Sequence, residues 1–240
     1  MKYINNGSFH YIITGCLHGC WEQLYLEASQ IEKDKGICLS AIFVCGDSKT
    51  ARTKEDLTSL ACPPRYRTMG SFHKYSDGTQ VAPYLTILIS GNHECSEFLL
   101  QTPYGGWIAP NIYYLGFSGS VILMKEVRKG KDVVSVDFLR VSGISGIGHS
   151  ILSSPHKESV PLRGVSQLKG VYQHRKLDTD MMCCMYSKLN EWTDDESSLD
   201  NPLFSKIRSL CPPKRSIFLS HDWVRTISTF GDISKLQKHL

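Results

Sequence analysis

The sequence predicts an α/β domain in which strands outnumber helices and the sheets are mixed. Three observations carry that prediction. Short β-branched and aromatic runs recur along the chain, three of them stop at a glycine next to polar residues, and one segment between the first two has apolar residues at helical spacing. Phe9 to Thr14 (FHYIIT) reads as the first strand, ended by Gly15, and Trp21 to Glu32 (WEQLYLEASQIE) as the helix after it. The next runs, Ile37 to Cys45 and Tyr84 to Ile89, close on Gly46-Asp47 and on Gly91-Asn92-His93-Glu94. Tyr113 to Met124 and Val133 to Val141 read as two more strands joined by a basic turn, Lys125 to Lys131, in a surface hairpin. Ser216 to Leu219 is a last strand, running into His221-Asp222-Trp223. Cys62 to Pro83 and Gly143 to Lys176 read as long irregular loops, which in compact domains usually carry function. The acidic stretch Glu191 to Asp200 reads as a solvated connection.

The 240 residues carry 27 lysines and arginines against 23 carboxylates, with 41% apolar residues. These are the proportions of one globular domain, residues 1–240, with a core large enough to support a buried site. They exclude a disordered or collagen-like chain. The formal charge of +4 is too small to argue alone for a polyanionic partner and leaves that to local clustering. Nine cysteines without paired Cys-x-x-Cys spacing argue against a disulfide framework or a zinc knuckle, and for a reducing compartment. Met1 to His10 lacks the pattern of a cleaved leader, and no stretch approaches the roughly 18 apolar residues of a membrane span. A soluble, unexported protein with no membrane partner is expected.

Ligands gather beyond the carboxyl ends of strands in open sheets. Four such ends here carry Cys16-x-His18, Asp47, Asn92-His93 and His221. Singly, each residue has a commoner role as a turn or core histidine, a cap, an Asx turn or a small buried thiol. Recurring in order after strand ends, their imidazole, carboxylate and amide groups make a ligand set for first-row transition metals. Asp47 is the natural bridge between two cations. Two such ions roughly 3.5–4 Å apart activate water and neutralise phosphate oxygens, so phosphoester hydrolysis is the implied reaction. Trp107, Tyr113 and Tyr114 read as packing groups.

Cys16-Leu17-His18-Gly19, Gly46-Asp47, Gly91-Asn92-His93-Glu94 and His221 resemble, in order, the motifs of the calcineurin-like metallophosphoesterases. Most of that superfamily has Asp where this chain has Cys16, and the cysteine resembles the family's lariat-debranching branch. The resemblance takes in Cys62-Pro63-Pro64, Lys74-Tyr75, Tyr104-Gly105-Gly106-Trp107, Ala109 to Gly116, Ser142 to Ile147, Val171 to Arg175 and Ser220 to Trp223. It implies two facing mixed β-sheets flanked by helices. It also implies hydrolysis of the 2′-5′ phosphodiester at the branch point of excised intron lariats, in the nucleus, as part of mRNA processing. One cation would be held by Asp47, Asn92 and His221, the other by His18 and Asp47 with Cys16 beside it. His93 would be catalytic and Glu94 would orient its imidazole. Thiol beside imidazole suits Fe(II) and Zn(II), with Mn(II) as a substitute. Gly148 to Lys176 takes the place of the family's lariat-recognition loop, where Arg163, Lys169, Tyr172, His174, Arg175 and Lys176 are expected to meet branched RNA through phosphates and a stacked base.

The family's closing Gly-His-x-His does not follow His221 in this sequence. One ligand to each cation is therefore missing from it, and low turnover is expected of the isolated chain. A catalytically weak RNA-binding product and a general metallophosphatase stand as the alternatives.

Overall fold

The computed structural model describes residues 1–6, 8–148, 171–191 and 215–222. Arg163, Lys169, Trp223 and nearly all of the acidic stretch up to Asp200 lie outside the described residues. Strands β1 (Lys2–Asn6), β2 (Phe9–Thr14), β3 (Ala41–Cys45), β4 (Thr86–Ile89), β5 (Gly106–Ala109) and β6 (Ile112–Tyr114) form one sheet in the order β1-β2-β3-β4-β6-β5. Neighbours from β2 to β6 are parallel, and the edge strands β1 and β5 are antiparallel to theirs. A second sheet holds β7 (Ser118–Lys129), β8 (Asp132–Ile144) and β9 (Ser216–Ser220), with β9 parallel to β8.

The runs of the central strands are continuously apolar because both of their faces are buried. Ile12, Ile42, Val44 and Leu88 pack with Trp21, Leu24, Tyr25 and Ala28 of helix α1 (Trp21–Lys35). The alternate residues Tyr11, Ala41, Phe43, Ile87 and Ile89 pack with Leu139, Val141 and Leu219 of the second sheet. The expected two facing mixed sheets are thus present, with few helices around them.

Several elements depart from expectation, each for a physical reason. Strand β1 is an addition, because an edge strand whose apolar residues, Tyr3 and Ile4, are only partly buried does not need the apolar run that marks a central one. Helix α1 runs one turn past Glu32 and ends where Gly36 takes a left-handed conformation (φ 59°). The single strand expected from Tyr113 to Met124 is two: Leu115-Gly116-Phe117 carries the chain from the first sheet to the second. Gly116 has φ 82°, and a Cβ there would sit 2.5 Å from the Gly105 amide nitrogen. The basic turn contracts to Gly130-Lys131, since β7 and β8 pair as far as Lys129 and Asp132. The segment Cys62 to Pro83 is ordered, with a 3-10 turn at Pro64–Tyr66 and a helical turn, α2 (His73–Ser76). Phe72 and Tyr75 from this segment pack against the Trp21 ring. A 3-10 turn at Asp56–Ser59, the short helix α3 (Ser96–Leu99) and the longer α4 (Lys176–Glu191) complete the described elements, α4 packing on β7 and β8 with Met182 and Asp178 buried.

Candidate metal centre

The parallel arrangement of β2, β3 and β4 brings the loops after them to one edge, and β9 adds His221 to the same edge. The loops after β2 and β3 pair with one another: Cys16 N donates to Gly46 O (3.0 Å), His18 N to Asp47 O (2.8 Å) and Gly19 N to Ser48 O (3.1 Å). Cys16, His18, Asp47 and Lys49 all take positive φ, between 47 and 53°. Each such residue stores about 1 kcal/mol or more, and clusters of them mark sites whose geometry the surroundings enforce. Two glycines make the close approach possible. A Cβ on Gly46 would lie 2.5 Å from His221 Nδ1, and one on Gly91 would collide with the Asp47 carboxylate.

Side chains from three other segments converge on Asp47, which is 4% exposed. One ligand atom each from Cys16, His18 and Asp47 lie within 4.8 Å of one another. His221 Nε2 is 3.4 Å from Asp47 Oδ1 and 3.2 Å from Asn92 Oδ1. His93 sits with its amide 2.8 Å from Asp47 Oδ1 and its ring Nδ1 3.1 Å from Oδ2, and its ring lies 5.6 Å from that of His18. All five residues expected as ligands are therefore brought together, with His93 beside them.

The donor chemistry fits a cation. His221 Nδ1 faces the Cys45 carbonyl at 2.7 Å, and a carbonyl only accepts, so this nitrogen carries the proton. In the neutral ring Nε2 is then a bare lone pair, aimed at two more acceptors, Asn92 Oδ1 and Asp47 Oδ1. Such converging acceptors are reconciled by a cation among them or by a second proton on the ring, and the donor set suits the cation. On the other side of Asp47, burial and the charges of Asp47 and Glu94 raise the Cys16 thiol above its ordinary value, an environment that a cation reverses.

Glu94 differs from expectation. It does not reach the His93 imidazole: its buried carboxylate accepts from Ser48 N (2.7 Å), Ser48 Oγ (3.0 Å), Lys49 N (2.9 Å) and Gly91 N (3.4 Å). It fixes the loop that carries Asp47, and Asp47 is the group facing the His93 ring. Burial pushes the Glu94 carboxyl up to about 7, opposed by its backbone hydrogen bonds. Spacing in the sequence gives no sign of this, because the partners lie 45 and 46 residues away.

No protein-family model matches the chain. Among characterised proteins it is similar to the lariat debranching enzyme of Drosophila melanogaster, 36% identical over 226 residues. Those of Caenorhabditis elegans (34% over 236 residues) and Schizosaccharomyces pombe (33% over 228) match similarly. The chain is a homologue of the lariat debranching enzymes. The matches cover 93, 96 and 95% of the chain but 35, 40 and 39% of the relatives, so it spans between a third and two fifths of their length.

In this debranching-enzyme homologue the two ends of the segment expected as the lariat-recognition loop close next to the centre. Ile147 N donates to Tyr172 O (2.8 Å) and His174 N to Ile147 O (2.9 Å), while Gly148 N donates to Asp222 Oδ2 (2.6 Å), one residue from His221. Tyr172, His174 and Lys176 thus stand at the base of the segment, and Arg163 and Lys169 lie outside the described residues. Arg175 is already committed. Its guanidinium pairs with Asp178 at 2.9 and 2.7 Å and lies 4.4 Å from the centre of the Phe117 ring, so it anchors the start of α4 rather than offering a free cation to RNA. The Arg-x-x-Asp spacing is the sequence sign of that pairing. Of the aromatic residues expected as packing groups, Tyr114 is fully buried, whereas Trp107 is 62% exposed on edge strand β5 against Tyr113.

Proposed function

We propose that the chain hydrolyses the 2′-5′ phosphodiester at the branch point of excised intron lariat RNA, giving linear RNA, at a site for two divalent metals. The observation that carries this reading is the set of lone-pair donors from three segments around one buried carboxylate on a fourth, with a cysteine at the first position. The names of the relatives supply the substrate. Asp47, Asn92 and His221 would hold one cation, and His18 and Asp47 the other with Cys16 beside it. Fe(II) and Zn(II) suit that donor set, and Mn(II) substitutes. Bound there, the pair of cations supplies Lewis acidity toward water and toward the phosphate oxygens.

The remaining work falls to the protein's own groups. His93 has Nδ1 held against Asp47, its side chain is 41% exposed, and its Nε2 has no partner among the described residues. An imidazole so placed, with one ring nitrogen held by a carboxylate and the other open, protonates the departing 2′ oxygen as a general acid. Glu94 keeps Asp47 in place. Arg163, Lys169, Tyr172, His174 and Lys176 would hold the branched strand, and a substrate released by splicing implies residence in the nucleus.

The test compares a 2′-5′ branched RNA, linear RNA and p-nitrophenyl phosphate as substrates, with bound metal counted by inductively coupled plasma analysis. About two metals per chain and cleavage confined to the branched RNA support the reading. A preference for the small ester makes the protein a general metallophosphatase, and RNA binding without bound metal or cleavage makes it a binding protein.

A further inference from the structure

The positive charge of the chain is not spread evenly. Between Lys49 and Lys74 there are six lysines and arginines against two carboxylates, an excess of four that equals the formal +4 of the whole chain. Two of the six are neutralised within the fold, Arg52 by Asp56 and Lys74 by Glu22. Arg65 and Arg67 have no carboxylate partner among the described residues, Arg67 Nε donating only to the Cys62 carbonyl at 3.1 Å. They flank Tyr66, which is 54% exposed, with the Arg65 guanidinium 4.7 Å from the centre of its ring.

This surface segment is tied to the metal loops from behind. Lys49, two residues past Asp47, is buried, and its Nζ donates to Tyr66 O (3.2 Å) and Thr68 Oγ1 (3.0 Å). Further along, Ser71 N and Oγ donate to Gly19 O at 2.9 and 3.1 Å. Gly19 and Gly70 approach so closely that a Cβ on either would lie within 3.0 Å of the other's Cα. Gly19 follows His18, so the segment is braced against the His18 flank of the centre, whereas the expected recognition loop closes beside His221.

We infer that Arg65, Tyr66 and Arg67 form a subsite for the single-stranded RNA leading away from the branch on the His18 side. Tyr66 stacks an unpaired base on its open face, and the two guanidinium groups take the flanking phosphates. An exposed aromatic ring between two arginines whose charge is not neutralised, on a rigid support, is the pattern by which proteins hold unpaired RNA. The inference rests on the proposed function and locates part of its substrate.

The test is fluorescence-anisotropy binding of a labelled 2′-5′ branched RNA to the full chain in EDTA, where the substrate is held without turnover. Tyr66→Ala is expected to weaken binding by roughly 5- to 100-fold, the usual range for removal of one stack, and Tyr66→Phe to restore it. Arg65→Gln with Arg67→Gln is expected to lower the slope of log affinity against log salt by about 0.7 for each phosphate that is no longer neutralised. Parent-like affinity and slope in all variants, with the parent itself binding RNA, overturn the subsite and leave the proposed function standing. A parent chain that binds no branched RNA overturns both.

Discussion

Glu94 offers the most direct test of how the centre is held. Its carboxylate is 2% exposed and accepts two short backbone N–H bonds, from Ser48 at 2.7 Å and Lys49 at 2.9 Å, one on each oxygen. Replacing it by Ala leaves both N–H groups without an acceptor. A buried donor without a partner costs about 1–3 kcal/mol, so Glu94→Ala is expected to destabilise the fold by about 2–6 kcal/mol. Glu94→Gln keeps the shape but turns one oxygen into an NH2 that faces an N–H, so a single donor goes unsatisfied and the expected destabilisation is about 1–3 kcal/mol. The measurement is urea unfolding followed by tryptophan fluorescence, made above the Glu94 pKa of about 7 so that the parent carboxylate is charged. Metal content of the folded variants should fall in the same order, because the Ser48 and Lys49 amides fix the loop that presents Asp47. A Glu94→Gln variant within about 0.5 kcal/mol of the parent would refute the assignment of the carboxylate to these amides.

Asp47→Ala is expected to abolish metal binding at both positions, since the carboxylate is the shared ligand; two retained equivalents by inductively coupled plasma analysis would count against the bridge. His93→Ala is expected to keep its metal and to slow the chemical step by roughly 10²–10⁴-fold, the range for loss of a general acid, while metal loss instead would make it a ligand. Gly46→Ala combines φ 90° with a Cβ 2.5 Å from His221 Nδ1, so it should displace His221 and lower metal affinity; a variant with parent-like affinity would show that the His221 side is not close-packed.

The residues of the centre are legible in the sequence because each stands immediately after a strand with a local signature. Gly46 and Gly91 end apolar runs and precede Asp47 and Asn92, and the parallel order of β2, β3 and β4 turns three such run ends into one edge of a sheet. The sheet-forming runs are legible for the same reason, since a strand covered on both faces must be apolar throughout. What stays hidden depends on partners far away in the chain. Nothing near Glu94 says that its carboxylate serves Ser48 and Lys49, and nothing near Lys49 says that its ammonium is buried under Tyr66 and Thr68. The break at Gly116 is hidden because Tyr113 to Met124 is apolar enough for one strand, and only the close packing of Gly116 on Gly105 forces the chain to change sheets there.

The hidden contacts of Glu94 and Lys49 share one property: they support the loops without engaging the ligand side chains. Four residues at the edge take positive φ, and a loop with that much stored strain would relax in isolation. It is held by the paired amides of the β2 and β3 loops and by Glu94. Trp21 Nε1 adds a hydrogen bond to Ser48 O (3.1 Å) from the first residue of α1. These supports end on backbone atoms and the Ser48 hydroxyl of the loops, so none competes with a cation for the side chains of Cys16, His18 or Asp47. The three converging acceptors on the other side, His221 Nε2, Asn92 Oδ1 and Asp47 Oδ1, are held by similar means, His221 through the Cys45 carbonyl and Asn92 by its place between Gly91 and His93. The Asp47 carboxylate also accepts from the His93 amide at 2.8 Å, yet Oδ1 still meets His221 Nε2 at 3.4 Å, and this gathering of acceptors on a loop held through other groups is the strongest physical reason to look for metal there first.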